Sequence, residues 1–206
     1  MTSMRAEYQE YFIERFARYG DDVRTFWGSR RSQEERFQVL CSIGDLTDKS
    51  VLDVGCGFGD LFGYLRDRGV KISSYRGFDC VDGVLEIARE RYPEGQFENA
   101  DLLSVAGETH ADYVFASGVF FLASEDWGDY TFRMLHAMHS VANCGMAANF
   151  LSQYSGHTDD GTSYYADPAK VFTRCMQEIS PIVDLRHSYR RNDFTVFVYK
   201  DWQNGN

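Results

Sequence analysis

The sequence predicts an α/β fold: a doubly wound, mostly parallel, seven-stranded Rossmann-like sheet, preceded by N-terminal helices and closed by a C-terminal antiparallel hairpin. Three observations predict it. From residue 50 onward, short apolar runs alternate with segments of helical periodicity, the order that builds parallel strands joined by helical crossovers. A glycine-rich turn, Gly55-Cys56-Gly57-Phe58-Gly59, joins the first such run to the first helical segment. The last two runs, 182–188 and 194–200, are separated only by residues 189–193. That is too short for a parallel crossover, so the two must pair antiparallel.

The elements follow in order. Tyr8, Phe12, Phe16 and Tyr19 share one helical face with Tyr11 beside them, and Gly20 supplies a stop. A second helix is expected over 32–43, with Phe37, Leu40 and Cys41 at helical spacing and a Ser32-x-x-Glu35 capping box at its start. Residues 1–46 therefore read as a helical lid and 47–206 as the α/β core of one domain, which a chain of 206 residues fits. In the core, 50–54 is a buried strand and 60–68 a helix stopped by Gly69. The run 75–79 ends a second strand, and Val81, Leu85, Ala88 and Tyr92 mark a helix closed by Pro93. Strands are expected at 96–100, 111–117 and 146–151. One helix lies near 130–142, marked by Phe132, Leu135 and His139, and another begins at Asp167-Pro168, where proline suits the first turn.

Composition narrows the function. The formal net charge is -10, and the only adjacent basic residues of note are Arg30-Arg31 and Arg190-Arg191. Nucleic-acid binders need a basic patch to displace counterions, and anionic membranes repel such a surface. The five cysteines are odd in number and form no C-x-x-C, so neither a zinc ribbon nor a redox pair is expected. His136 and His139 stand three apart on a helix, but a metal would need a further clear ligand, so no metal is expected. Residues 1–10 are polar, and no stretch approaches the roughly 20 apolar residues of a membrane span. The expectation is a cytoplasmic protein whose partner is a small-molecule acceptor, with no nucleic acid and no membrane.

The glycine turn should lie at the carboxyl edge of the sheet, where such folds bind ligands. Its spacing is G-x-G-x-G, whereas a dinucleotide fingerprint is G-x-G-x-x-G. Asp53 precedes the first glycine by two residues. A carboxylate there would repel a pyrophosphate but could hold an ammonium or order the water around one. Asp79, 24 positions after Gly55, ends the second strand and can accept both hydroxyls of a ribose. Asp101 follows the third strand and can accept from an adenine amine, with Leu102 against the ring. Taken singly, Asp79 could cap a helix and Asp101 could belong to a turn. Three acids at the ends of three successive strands are hard to assign to capping. Together they point to a phosphate-free adenosyl ligand carrying an amine, which is S-adenosyl-L-methionine.

The same residues carry a family resemblance. VLDVGCGFGDL (51–61) resembles the first motif of class I S-adenosylmethionine-dependent methyltransferases, YRGFD (75–79) the second, FENADLL (97–103) the third and ADYVFASGVF (111–120) the strand-four region. The segments FLSQYS (150–155) and YYADP (164–168) look similar to a group of small bacterial methyltransferases. The resemblance implies that Asp53, Gly55, Cys56, Gly57 and Gly59 surround the methionine end. It places Asp79, with Cys80, at the ribose, Asp101 and Leu102 at adenine, and Ser117 and Gly118 beside the sulfonium. The Asn/Asp-Pro-Pro-Tyr/Phe motif of DNA and glutamine amino-methyltransferases is absent after strand four, which reads Ala-Ser-Gly-Val-Phe.

The expected reaction is an in-line displacement by an oxygen or nitrogen nucleophile of a small molecule. Arg36 is a candidate partner for the methionine carboxylate, because the acid-lined pocket otherwise offers no cation. Acceptor groups should come from the loops at 120–127 and 153–167. Tyr154, His157 and Tyr164 are the candidate catalytic residues there, His157 because it titrates near neutral pH. Two rival readings share the fold: a non-catalytic S-adenosylmethionine-binding regulatory protein, and a nicotinamide-dependent oxidoreductase, which the glycine spacing, Asp53 and the closing hairpin oppose.

Overall fold

A computed structural model describes residues 4–156 and 161–201 of the chain. Seven strands form one sheet: β1 (Ser50–Val54), β2 (Ser74–Asp79), β3 (Gln96–Asn99), β4 (Ala111–Ala116), β5 (Ala142–Leu151), β6 (Val183–Arg190) and β7 (Asp193–Tyr199). Their spatial order is β3-β2-β1-β4-β5-β7-β6. The first five pair in parallel, and β7 runs antiparallel to both β5 and β6. The strand order reverses between β1 and β4, so the carboxyl ends of these two strands frame the crevice in which this architecture binds ligands.

Seven α-helices accompany the sheet among the described residues: α1 (Met4–Tyr19), α2 (Arg30–Leu40), α3 (Asp60–Asp67), α4 (Asp82–Arg91), α5 (Leu102–Val105), α6 (Trp127–Val141) and α7 (Pro168–Glu178). Successive strand residues point to opposite faces, and the apolar core divides accordingly. Leu52, Val54, Val114, Met146 and Val196 pack on one side with Leu135 and Met138 of α6 and Val171 of α7. Val51, Tyr75, Phe115, Ala147 and Phe197 pack on the other with Phe37 and Leu40 of α2, Leu61 and Leu65 of α3, and Leu85 of α4. Strands buried on both faces read as continuous apolar runs, which is why β1 and β4 are so plain in the sequence.

Several boundaries differ from the expectation. α2 begins at Arg30 rather than 32, because Ser29 is its N-cap and its hydroxyl accepts the Ser32 N–H at 3.2 Å. Ser32 instead donates to the Ser29 carbonyl, and Glu35 pairs with Arg31 and Arg190, so no Ser32–Glu35 capping box forms. β5 starts four residues earlier than 146, over Ala142-Asn143-Cys144-Gly145, small and polar residues that hide a strand from a hydrophobicity pattern. The hairpin is present, with β6 and β7 joined by a two-residue connection.

Candidate active site

The ends of β1, β2 and β4 and the turns that follow them meet in one cleft. Backbone bonds set the glycine turn: the N–H groups of Gly55 and Cys56 both donate to the Phe78 carbonyl, at 2.7 and 3.0 Å. Asp79 completes the clamp. Its Oδ2 accepts the Gly57 N–H at 2.9 Å, and its Oδ1 accepts those of Cys80 and Val81 at 2.8 and 3.1 Å. Burial raises the Asp79 carboxyl above the usual range, while these three donors hold it down. Asp53 is 3 % exposed and accepts the Tyr75 hydroxyl at 2.5 Å. Burial pushes its carboxyl up to about 7, opposed by the Tyr75 hydrogen bond and reinforced by the neighbouring Asp79 and Asp60. Asp101 caps α5, accepting the Leu103 N–H at 3.0 Å, and still faces the cleft.

Two glycines explain how the N-terminal segment closes on this turn. Gly57 has φ +53°, a left-handed conformation, and a Cβ there would lie 3.1 Å from the Phe26 ring. Gly118, after β4, has φ +71°, and a Cβ would lie 2.7 Å from the Trp27 ring. The absent side chains let two aromatic rings sit on the backbone. Asn149 of β5 fixes the far wall: it is 3 % exposed, its Oδ1 accepts the Gly118 N–H at 2.8 Å and its Nδ2 donates to the Ser117 hydroxyl at 3.0 Å.

About 100 Å³ of the cleft is open to the centre of a water molecule. Ligand sites commonly run to about 300–1,000 Å³. The aromatic cover of Phe26 and Trp27 narrows the space that is left. Four carboxylates line it, Asp53, Asp60, Asp79 and Asp101, and no Lys, Arg or His does among the described residues. Asp60, the first residue of α3, is 6 % exposed and accepts from Gln33 at 2.8 Å and Arg30 at 3.0 Å. A site lined by four acids, one of which, Asp60, is paired with Arg30 set behind the lining, is hostile to a pyrophosphate and suited to a positively charged adenosyl sulfonium with a free amine. The donor set therefore fits S-adenosylmethionine.

A second cavity, with about 370 Å³ open to the centre of a water molecule, adjoins the first through Phe12, Phe26, Trp27 and Gly118. Its walls include Tyr11, Phe120, Phe121 and Phe150, and its charged lining is Arg15, Arg24, Arg36 and Asp193. Phe120, Phe121 and Ser163 come from the two loops expected to face an acceptor.

Most sequence-predicted residues meet at the first cleft: Asp53, Gly55, Cys56, Gly57, Asp79, Cys80, Asp101, Leu102, Ser117 and Gly118 all line it. Gly59 does not. It lies behind the turn, where a Cβ would strike Phe97 and Tyr92. Arg36 requires a correction. Its Nε and Nη2 form a bidentate pair with Asp193, at 3.0 and 2.6 Å, and its Nη1 donates to the Ser32 carbonyl, so it lines the second cavity and braces α2 against β7. Tyr154 is 61 % exposed beside the His187 ring and lines neither cavity. Tyr164 also lines neither, because its ring stacks on Trp127 at 3.8 Å. His157 lies outside the described residues. Burial pushes the Cys56 thiol well up, so it stays a neutral packing group rather than a nucleophile.

Sequence reasoning missed Asp60, Asn149, Phe26, Trp27 and Arg15. A polar Asn inside the apolar run Met146–Leu151 was the one signal that could have found Asn149.

Comparison with known proteins agrees with this geometry. A family model described as a methyltransferase domain matches residues 51–144. The Rv1506c protein of Mycobacterium tuberculosis, named as a methyltransferase, is 35% identical over 159 residues, covering 73% of this chain and 93% of that protein. The chain belongs to the class I S-adenosylmethionine-dependent methyltransferases. This methyltransferase is also 33% identical over 82 residues to a trans-aconitate 2-methyltransferase of Sinorhizobium medicae, a match that spans 40% of this chain and 32% of that protein. The crystal structure of magnesium protoporphyrin IX methyltransferase from Synechocystis PCC 6803 with bound SAH superimposes with a TM-score of 0.69. It covers 96% of this chain and 99% of that one at 16% identity, a likeness of fold. Among the described residues no helix is long and apolar enough to cross a membrane, and no cluster of three or more His, Cys, Asp or Glu is placed to hold a metal.

Proposed function

We propose that this methyltransferase transfers a methyl group to an oxygen or nitrogen nucleophile of a small-molecule acceptor held in the second cavity. The observation that carries the reading is the pair of adjoining cavities, one lined by carboxylates and the other by aromatic rings and arginines, meeting at Gly118 and Trp27. Two of the proteins it resembles, a trans-aconitate methyltransferase in part of its sequence and a magnesium protoporphyrin IX methyltransferase in fold, carry small-molecule acceptors in their names, which supports a small molecule over a polymer.

Bound S-adenosylmethionine supplies a methyl already activated by the positive charge on sulfur. The protein's residues do the rest by placement. Gly55, Cys56 and Gly57 let the backbone approach the methionine end, and Asp53 faces its ammonium. Asp79, with Cys80 beside it, would accept from a ribose hydroxyl with the one acceptor site that its three backbone donors leave. Asp101 and Leu102 take the adenine. Ser117 and Gly118, fixed by Asn149, present backbone at the reacting sulfur. Residues 1–46 act as the lid, with Phe26 and Trp27 as its inner face, and 47–206 as the catalytic core of a single domain. Alignment of acceptor and methyl in a closed, dry site is worth about 7–11 kcal/mol in favourable cases.

The test is incubation with methyl-labelled S-adenosylmethionine and a fractionated cell extract. Label should appear in a low-molecular-mass product. Label in protein or nucleic acid would overturn the small-molecule reading. Clear cofactor binding without transfer to any fraction would instead favour a regulatory binding protein.

A further inference from the structure

The second cavity has a charge pattern that a chain of net charge -10 does not lead one to expect. Three of its lining residues are arginines and one is an aspartate. Two of the arginines are neutralised. Arg24 pairs with Asp22 at 2.8 Å, and Arg36 pairs with the buried Asp193 at 2.6 Å. Arg15 is different. Its Nε donates to the Thr25 carbonyl at 2.8 Å and its Nη2 to the Arg24 carbonyl, and its guanidinium lies over the Tyr11 and Tyr19 rings at 5.6 and 5.3 Å. All four partners are uncharged, and no carboxylate stands within ion-pair distance of it among the described residues. A guanidinium carries five N–H donors, and the two carbonyls use one each from Nε and Nη2. The carbonyls and rings therefore hold the group in place at the cavity wall without compensating its charge.

A fixed, uncompensated guanidinium beside aromatic walls is the arrangement that recognises a carboxylate on an apolar or aromatic body. The other walls agree, for Tyr11, Phe12, Phe120, Phe121 and Phe150 supply flat apolar surface. We infer that the acceptor is an aromatic or similarly apolar carboxylic acid, bound as its anion, and that Arg15 is the residue that selects it. The inference rests on the reading of this cavity as the acceptor site. It also gives a role to the charge contrast between the cavities: the acid-lined cleft draws in the cationic cofactor and rejects the acceptor, and the Arg15 side does the reverse. Arg15 sits on α1, so an anion bound there also ties the N-terminal segment down over the site.

The experiment measures binding of phenylacetate, cinnamate and indole-3-acetate, each against its own carboxamide, to the full chain saturated with S-adenosylhomocysteine. Saturation with that compound is checked first by calorimetry, so a failure of the methyltransferase reading shows itself separately as absent heat. With cofactor product bound, at least one acid should bind roughly tenfold or more tightly than its amide. Arg15→Gln should collapse that acid-to-amide ratio towards one, and Arg15→Lys, which keeps the charge, should retain part of it. Because the ratio compares two ligands on one variant, a loosened lid lowers both affinities and leaves it unchanged. Equal binding of acid and amide, an unchanged ratio in Arg15→Gln, or no binding of any acid to the saturated protein would each overturn the assignment.

Discussion

The two cavities share a wall and are built by opposite means. The first is organised by backbone: a bend at residues 55–59 whose N–H groups are clamped by the Phe78 carbonyl and the Asp79 carboxylate, with acids at three strand ends and an aromatic cover from the N-terminal segment. The second is made of side chains brought from far apart in the chain, from α1 and the segment after it, from the turn after β4, and from β5 and β7. A site of the first kind tolerates little change in sequence spacing, because each atom's place follows from strand register. A site of the second kind can change its contents residue by residue while the fold stays the same. On the proposed function, the carboxylate cleft would carry the chemistry of the cofactor and the arginine-aromatic cavity the choice of acceptor.

The sharpest way to break that division is at the boundary residue Arg36. Asp193→Ala would leave the buried Arg36 guanidinium with only uncharged partners, the Ser32 carbonyl and the Trp27 ring, and would take one carboxylate from Arg190, a loss of about 3–5 kcal/mol and on the order of 10 °C in Tm. The apolar double replacement Arg36→Met with Asp193→Leu should recover most of that stability. It should keep S-adenosylhomocysteine affinity within about threefold, since the pair lies outside the first cleft. A folded double variant that no longer binds would return Arg36 to the cofactor site.

Next in size is Asp79→Ala. It removes the proposed ribose acceptor and the anchor of the Gly57 N–H together, so S-adenosylhomocysteine affinity should drop roughly a hundredfold. A drop of less than tenfold by calorimetry would show that Asp79 serves the turn alone.

Asp53 makes the cleft pH-sensitive. Its carboxyl titrates at about 7 in the fold, above the ordinary carboxylate range. A raised pKa means the fold favours the protonated form. The empty protein therefore loses stability as pH rises from that ordinary range through about 7. An ammonium ligand favours the ionised form, so S-adenosylhomocysteine affinity should move the other way and rise by up to roughly tenfold between pH 6 and 8. Asp53→Asn should flatten that rise, and an unchanged slope in the variant would assign it to another group. Smallest is Phe26→Ala, which removes the ring seated on Gly57 and should raise the dissociation rate of S-adenosylhomocysteine about fivefold in stopped flow. An unchanged rate would mean that the N-terminal segment is packing and not a lid.

The same division explains what was legible in the sequence. The glycine turn, Asp79 and Asp101 could be read directly, because strand ends are local and their spacing is set by strand and helix lengths. The closing hairpin was equally plain from a connection too short to cross over. Arg36 was matched to the methionine carboxylate because the acid-lined pocket offered no other cation, while the partner the structure gives it, Asp193, stands 157 residues away in sequence. Tyr154 and Tyr164 were read as facing an acceptor because their loop follows β5, yet one is exposed and the other stacks on Trp127. Arg15 carried no signal at all, since an arginine on an amphipathic helix reads as solvated until the Thr25 and Arg24 carbonyls are seen to hold it.

The four carboxylates that line the first cleft should select a positively charged, phosphate-free adenosyl ligand. Parallel calorimetric titrations of the full chain with S-adenosylmethionine and with NADH decide this. Saturable one-to-one binding of the first and none of the second is the predicted result. Absent heat from S-adenosylmethionine, or tight binding of NADH, would contradict it.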